Sequence, residues 1–159
     1  MAIKGYFAGS SITEYDPTPD GILPKCQTCK LHEQCLSPKM EPYGKGRRRV
    51  LFVGEAPGEQ EDKKDRPFAV TNTLCCRPPN NRDPKPVEIA YCRPNLNNTI
   101  KKLDPDIIIP MGAAAANAVI KNLWSRKEEP GPMSRWAGWQ IPSQEINRWI
   151  CPTYHPSYI

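Results

Sequence analysis

Histidine is scarce, with two in 159 residues, so each one is a candidate for chemistry. No apolar run approaches the roughly 20 residues of a membrane-spanning helix, and the N-terminus lacks the basic-then-apolar layout of a secretory leader. A soluble, intracellular, cytoplasmic protein is expected. In that reducing setting the seven cysteines, an odd number, do not read as a disulfide framework. Metal binding is the better expectation. The net charge of +5 is a mild basic bias, compatible with a polyanionic partner. The length suits one domain over residues 1–159, large enough for a core without staples. Nineteen prolines point to rigid irregular segments between few regular elements.

The central stretch is Val50-Leu-Phe-Val-Gly54, which breaks into Glu55-Ala-Pro-Gly-Glu-Gln-Glu-Asp62. A short apolar run ending in Gly, Glu, Pro and Gly reads as a buried parallel strand delivering a tight loop at its carboxyl end, where ligands sit in open α/β sheets. Four carboxylates (Glu55, Glu59, Glu61, Asp62) fall within eight positions. They form either a charged site or a solvated acidic tail. Before this strand, residues 1–24 read as an extended arm, and Cys26-x-x-Cys29 as a tight turn flowing into a short helix. After it, Thr71 to Cys76 reads as a second strand and Val87 to Leu103 as a helix that Pro94 should kink or end. Asp106 to Gly112 reads as a third strand, Ala113 to Leu123 as a helix, Trp136 to Pro142 as a strand or hairpin, and Trp149 onward as a last strand running into His155-Pro-Ser157. Strands alternating with helices predict an α/β fold with a short, mainly parallel central sheet. Only Ala56 to Val70 separate the first two strands, too few for an ordinary helical crossover. The expectation is an unusual connection or a stretch missing between Val70 and Thr71, and another missing after Ile159.

Cys26-x-x-Cys29 is a natural clip for a metal, and Cys76 and Cys92 could be folded back to it. Four thiolates suit a zinc ion or an iron–sulfur cluster. The competing reading is buried free thiols, assigned to Cys151 and to one of Cys75 and Cys76, because neighbours on a strand face opposite ways. Cys35 stays open. His32 reads as a solvated surface residue. His155, locked by Pro156 and Ser157 after a buried strand, is placed to donate a proton or hydrogen bond to a developing anion, or is structural. The tryptophans read as core, and Phe68 as a stacking surface for a base.

These residues resemble the iron–sulfur uracil-DNA glycosylases, the family 4 type of that superfamily. The matching pieces are Gly54 to Asp62, Arg66-Pro-Phe68, Thr71-Asn72, Cys76-Arg-Pro-Pro-Asn-Asn-Arg-Asp83, Cys92-Arg-Pro94, Met111-Gly-Ala-Ala114 and His155-Pro-Ser157. They recur in order over most of the chain. The resemblance implies a three-layer α/β/α fold with an Fe–S-bound N-terminal segment. Its [4Fe–4S] cluster, mainly structural, would be held by Cys26, Cys29, Cys76 and Cys92. It also implies hydrolysis of the N-glycosidic bond of deoxyuridine in DNA. Glu55 or Glu61 would then face the cationic sugar or orient water, and His155 would stabilise the uracil anion. Substrate would be held by Ala56, Pro57, Gly58, Phe68, Asn72, Asn81 and Ser157, with help from cations of the proline-rich loop. The partner is uracil-containing DNA, met by a monomer away from any membrane. The rival expectation is a non-catalytic iron–sulfur or zinc DNA-binding or accessory module of the same fold.

Overall fold

The computed structural model describes residues 23–44, 49–65, 70–123, 130–144 and 146–158. Phe68, with Arg66 and Pro67, and most of the expected N-terminal arm lie outside the described residues. At the centre is a five-stranded sheet in the order β2-β1-β3-β5-β4. Its strands are β1 (Val50–Gly54), β2 (Thr71–Asn72), β3 (Ile107–Pro110), β4 (Ile141–Ser143) and β5 (Arg148–Ile150). The pairs β1·β2, β1·β3 and β3·β5 are parallel, and β4 lies antiparallel to β5. Among the described residues four α-helices accompany them: α1 (Cys26–Cys29), α2 (Glu59–Lys64), α3 (Pro86–Leu103) and α4 (Ala113–Leu123).

The core follows from side-chain alternation on the strands. Leu51 and Val53 of β1 and Ile108 of β3 are buried with Ala115, Ala116, Ala118 and Val119 of α4, whose small side chains let the helix lie close against the sheet. Phe52, on the opposite face of β1, is part-exposed, so this strand is not buried on both faces as its apolar run predicts. The second strand is also shorter than predicted. After Asn72 the chain makes two further bonds to the end of β1, from the Thr73 amide to Gly54 O (2.9 Å) and from the Leu74 amide to Glu55 O (3.0 Å), and then turns toward the cysteines. Helix α3 runs on through Pro94 rather than ending there. The connection from β1 to β2 carries the six-residue helix α2. Trp139 is 65% exposed, against the expectation that the tryptophans are core.

This order puts a topological switch at β1. The chain leaves β1 for β2 on one side and later occupies β3 on the other, so the loops at this carboxyl edge diverge and leave a crevice.

Two buried carboxylates fix the loops around that crevice. Asp62 of α2 is 1% exposed; its Oδ1 accepts from the Ser37 amide (2.7 Å) and its Oδ2 from the Leu36 amide (3.1 Å). Ser37 Oγ donates to Asp62 O (2.6 Å), and Arg77 Nη1 lies 3.7 Å from the carboxylate. One side chain thus ties the segment after the cysteine clip to the helix after the acidic loop. Glu88 does the same for the proline-rich loop. It accepts from Arg82 Nη1 (2.9 Å) and Nη2 (2.6 Å) and caps α3 by accepting from the Lys85 amide (2.8 Å).

Asp62→Ala leaves the Leu36 and Ser37 amides without their acceptor and is expected to lower the unfolding free energy by roughly 2–3 kcal/mol in urea titration. A loss within experimental scatter contradicts the anchor. The Arg82 hydrogen bond holds the Glu88 carboxyl below the ordinary carboxylate range, against the opposing effect of burial. A depressed folded-state value contributes stability above the unfolded value near 4.3, which is lost as pH falls through the folded one. Acid unfolding of Glu88→Gln should therefore be flatter in that window than that of the parent; equal slopes contradict this.

Candidate active site and cysteine cavity

The crevice is lined by the ends of β1, β2 and β3 and by the loop after β5. Glu55 is the first residue beyond β1 and is half-buried. Burial raises its carboxyl above the usual range, the Asp83 charge adds to this, and His155 opposes it. Glu55 and His155, 100 positions apart in the chain (155 − 55), therefore lie within electrostatic range of each other. The register explains how. The Met111 amide donates to Val53 O (2.8 Å), Met111 bridges to Thr153 in parallel, and the Gly112 amide donates to Thr153 O (2.8 Å). This brings the His155 loop alongside β3 and thus near β1. Gly112 has φ +84°, and a Cβ there would lie 3.4 Å from the His155 Cβ, so glycine serves both the turn and the close approach.

His155 has a defined tautomer. Its Nδ1 lies 2.7 Å from Ser157 Oγ and accepts from the Ser157 amide (3.2 Å). A backbone amide can only donate, so Nδ1 carries the lone pair and the ring proton sits on Nε2. The ring thus offers Nε2–H as a donor while Ser157 holds it from behind.

The other predicted residues take several positions. Asn72 is 7% exposed on β2, paired in register with Gly54. Pro57 is buried, Ala56 packs against the cysteine cluster, and Gly58 is the N-cap of α2. Glu61 turns back on its own loop, where its Oε2 accepts from the Gly58 amide (2.8 Å). Of the two candidate carboxylates, Glu61 shapes the loop and Glu55 is the one that senses His155. Asn81 is exposed in the left-handed region (φ 53°) and accepts from Arg77 Nε (2.7 Å). The loop arginines expected to reach phosphates are engaged internally, Arg77 beside Glu59 and Asp62 and Arg82 on Glu88. Asp83, which acts electrostatically on Glu55, was not anticipated; its only sequence signal is its place in the proline-rich loop.

On the far side of Ala56 the cysteines gather. Cys26, Cys29, Cys75, Cys76 and Cys92 line one cavity with Leu31, Leu74 and Tyr91. Cys151 lies apart, and Cys35 packs at the edge of the cluster. His32 lines the same cavity with its Nδ1 buried, so it is not the solvated residue expected from sequence. Both Cys75 and Cys76 face the cavity, where strand alternation predicts one. The cause is that the chain has left the ladder after Asn72. The Cys75 thiol, the Cys75 amide (3.4 Å) and Asn95 Nδ2 (3.4 Å) all donate to the Cys92 sulfur, pulling it down to about 6 against burial. Burial pushes Cys76 up to about 12.

A largely apolar cavity lined by five cysteines, with His32 beside them, fits a thiolate-bound iron–sulfur cluster by donor chemistry. Among the described residues no three Cys, His, Asp or Glu side chains converge as ligands of a single ion. A zinc ion needs its sulfurs about 2.3 Å from one point, whereas a four-iron cluster takes one thiolate on each iron and spreads them.

The family described as the uracil DNA glycosylase superfamily matches residues 69–159. A type-4 uracil-DNA glycosylase of Saccharolobus solfataricus is 32% identical, over 84% of this chain and 71% of its own length. That of Thermotoga maritima is 34% identical over 85% of this chain and 78% of the relative, and that of Pyrobaculum aerophilum is 32% identical over 87% and 81%. The chain therefore belongs to the type-4 uracil-DNA glycosylases of the uracil DNA glycosylase superfamily.

Proposed function

We propose that this protein excises uracil from DNA, hydrolysing the N-glycosidic bond of deoxyuridine to leave an abasic site. We further propose that it works as a soluble cytoplasmic monomer carrying a [4Fe–4S] cluster on Cys26, Cys29, Cys92 and Cys76. The observation that supports the reading is that Glu55 and His155 come within electrostatic range of each other near the switch of the sheet. Neither the cysteine cavity nor a basic surface needs that pair, and glycosidic cleavage does.

Breaking the bond leaves electron deficiency on the sugar and negative charge on the base. His155, with its Nε2–H available, donates to the pyrimidine oxygen where that charge collects. Ser157 keeps the ring in the donating tautomer. Glu55 supplies the opposite charge, stabilising the sugar and orienting the attacking water. The target nucleotide has to leave the duplex to reach them. Asn72, whose amide both donates and accepts, reads the pyrimidine edge beside Gly54. Phe68 is the stacking partner in this reading. A cluster held by Cys26, Cys29, Cys76 and Cys92 would fix the shape of the cysteine segment, which Asp62 and Ala56 join to the acidic loop.

Incubation with a uracil-containing oligonucleotide, followed by alkali, should give strand scission at the uracil. No scission with cluster-replete protein leaves a non-catalytic DNA-binding module. His155→Ala and Glu55→Gln should each slow single-turnover excision by about 10²–10⁴-fold, while Glu61→Gln, which can still accept from Gly58, should cost far less. A Glu61→Gln loss equal to that of Glu55→Gln reverses the assignment. Because the Glu55 carboxyl titrates above the usual range and acts ionised, excision should fall on the acid side at a pH above the ordinary glutamate value near 4.3. Persistence of that limb in the residual activity of Glu55→Gln excludes Glu55 as its source.

A further inference from the structure

Four thiolates complete a [4Fe–4S] site, yet five line this cavity. The supernumerary pair is Cys75 and Cys76, adjacent in sequence and both turned inward because β2 has already ended. Their surroundings differ. Cys75 stands between the clip and the helix thiol, donating its thiol hydrogen to Cys92 and lying within electrostatic range of Cys26. Its amide also donates to Cys92 Sγ at 3.4 Å. Cys76 neighbours Cys92 as well, but its thiol donates to Cys35 and its sulfur accepts from the Lys39 amide at 3.2 Å. Cys75 thus has both Cys92 and Cys26 as thiol neighbours, whereas Cys76 shares Cys92 but turns its thiol to Cys35. Cys29, for its part, has Cys92 and Cys26 as its thiol neighbours.

We propose that Cys75 is a fifth cluster-competent thiol, able to take the place of Cys76 as the fourth iron ligand. This rests on the cluster reading above. In the exchange the iron–sulfur bond to Cys76 breaks as one to Cys75 forms; the incoming thiol loses its proton and the outgoing sulfur gains one, with no change of oxidation state. The consequence is a site that tolerates loss of either adjacent cysteine but not both.

The test is anaerobic reconstitution of the full chain with ferrous iron and sulfide, reading iron and acid-labile sulfide per chain and the visible chromophore. Cys76→Ser and Cys75→Ala should each stay within about twofold of the parent in iron content, and the Cys75→Ala/Cys76→Ser double variant should fall roughly tenfold, as Cys26→Ser does. Electron paramagnetic resonance of the reduced cluster should shift in Cys76→Ser, reporting the changed ligand. Folding is followed by circular dichroism, with Cys76→Ala run beside Cys76→Ser in case the serine is not accommodated in the core. A folded Cys76 variant that loses iron as fully as Cys26→Ser overturns the proposal while leaving the cluster reading intact. A parent chain that takes up no iron overturns both.

Discussion

The structure depends on the hydrogen bonding at the carboxyl end of β1. Val53 O accepts from Met111, Gly54 O from Thr73 and Glu55 O from Leu74, so the last residues of one short strand hold the exits of two others. Because β1 is flanked by β2 and β3 in parallel register, those exits diverge, and the backbone can open into a crevice without leaving its carbonyls unpaired. Glu55 at the rim, Asn72 beside Gly54 and His155 beside Gly112 are placed by this arrangement.

Around the ladder stands a ring of buried or half-buried carboxylates with separate tasks. Asp62 and Glu88 accept hydrogen bonds and are structural. Glu61 is bound to its own loop. Burial, with the Asp83 charge, raises the Glu55 carboxyl against the opposing effect of His155. A carboxyl held in that state is the one suited to act on a substrate. Asp62 also joins the two halves of the molecule, since the amides it holds follow the cysteine clip and its helix follows the acidic loop. The segment after the cysteine clip and the acidic loop are thereby held to each other through a buried side chain.

Much of this was legible in the sequence. An apolar run closing on glycine marked β1 and β3, the alanines marked α4, and a histidine fixed between a strand and proline marked the other half of the site. What was not legible depends on partners distant in the chain. Nothing local tells Asp62 from its acidic neighbours, because its two amide donors lie 25 and 26 residues away. Glu61 and Glu55 were equivalent until one was seen to accept from Gly58. Pro94 reads as a helix break by propensity, yet it is buried and the helix continues through it. Cys75 and Cys76 could not be separated because alternation was the only rule available, and the strand ends before it applies. The exposure of Trp139 was missed because its size alone suggested core.

The central claim is that Glu55 and His155 act together on one extruded nucleotide. It is tested most directly by a double-mutant cycle in single-turnover excision of uracil, using Glu55→Gln, His155→Ala and their combination. Groups that stabilise opposite charges of one transition state lose their benefit together, so the double variant should be at most about tenfold slower than the slower single variant. A double variant slowed by the full product of the two single effects would mean that the residues act independently, and the account of the site would be wrong.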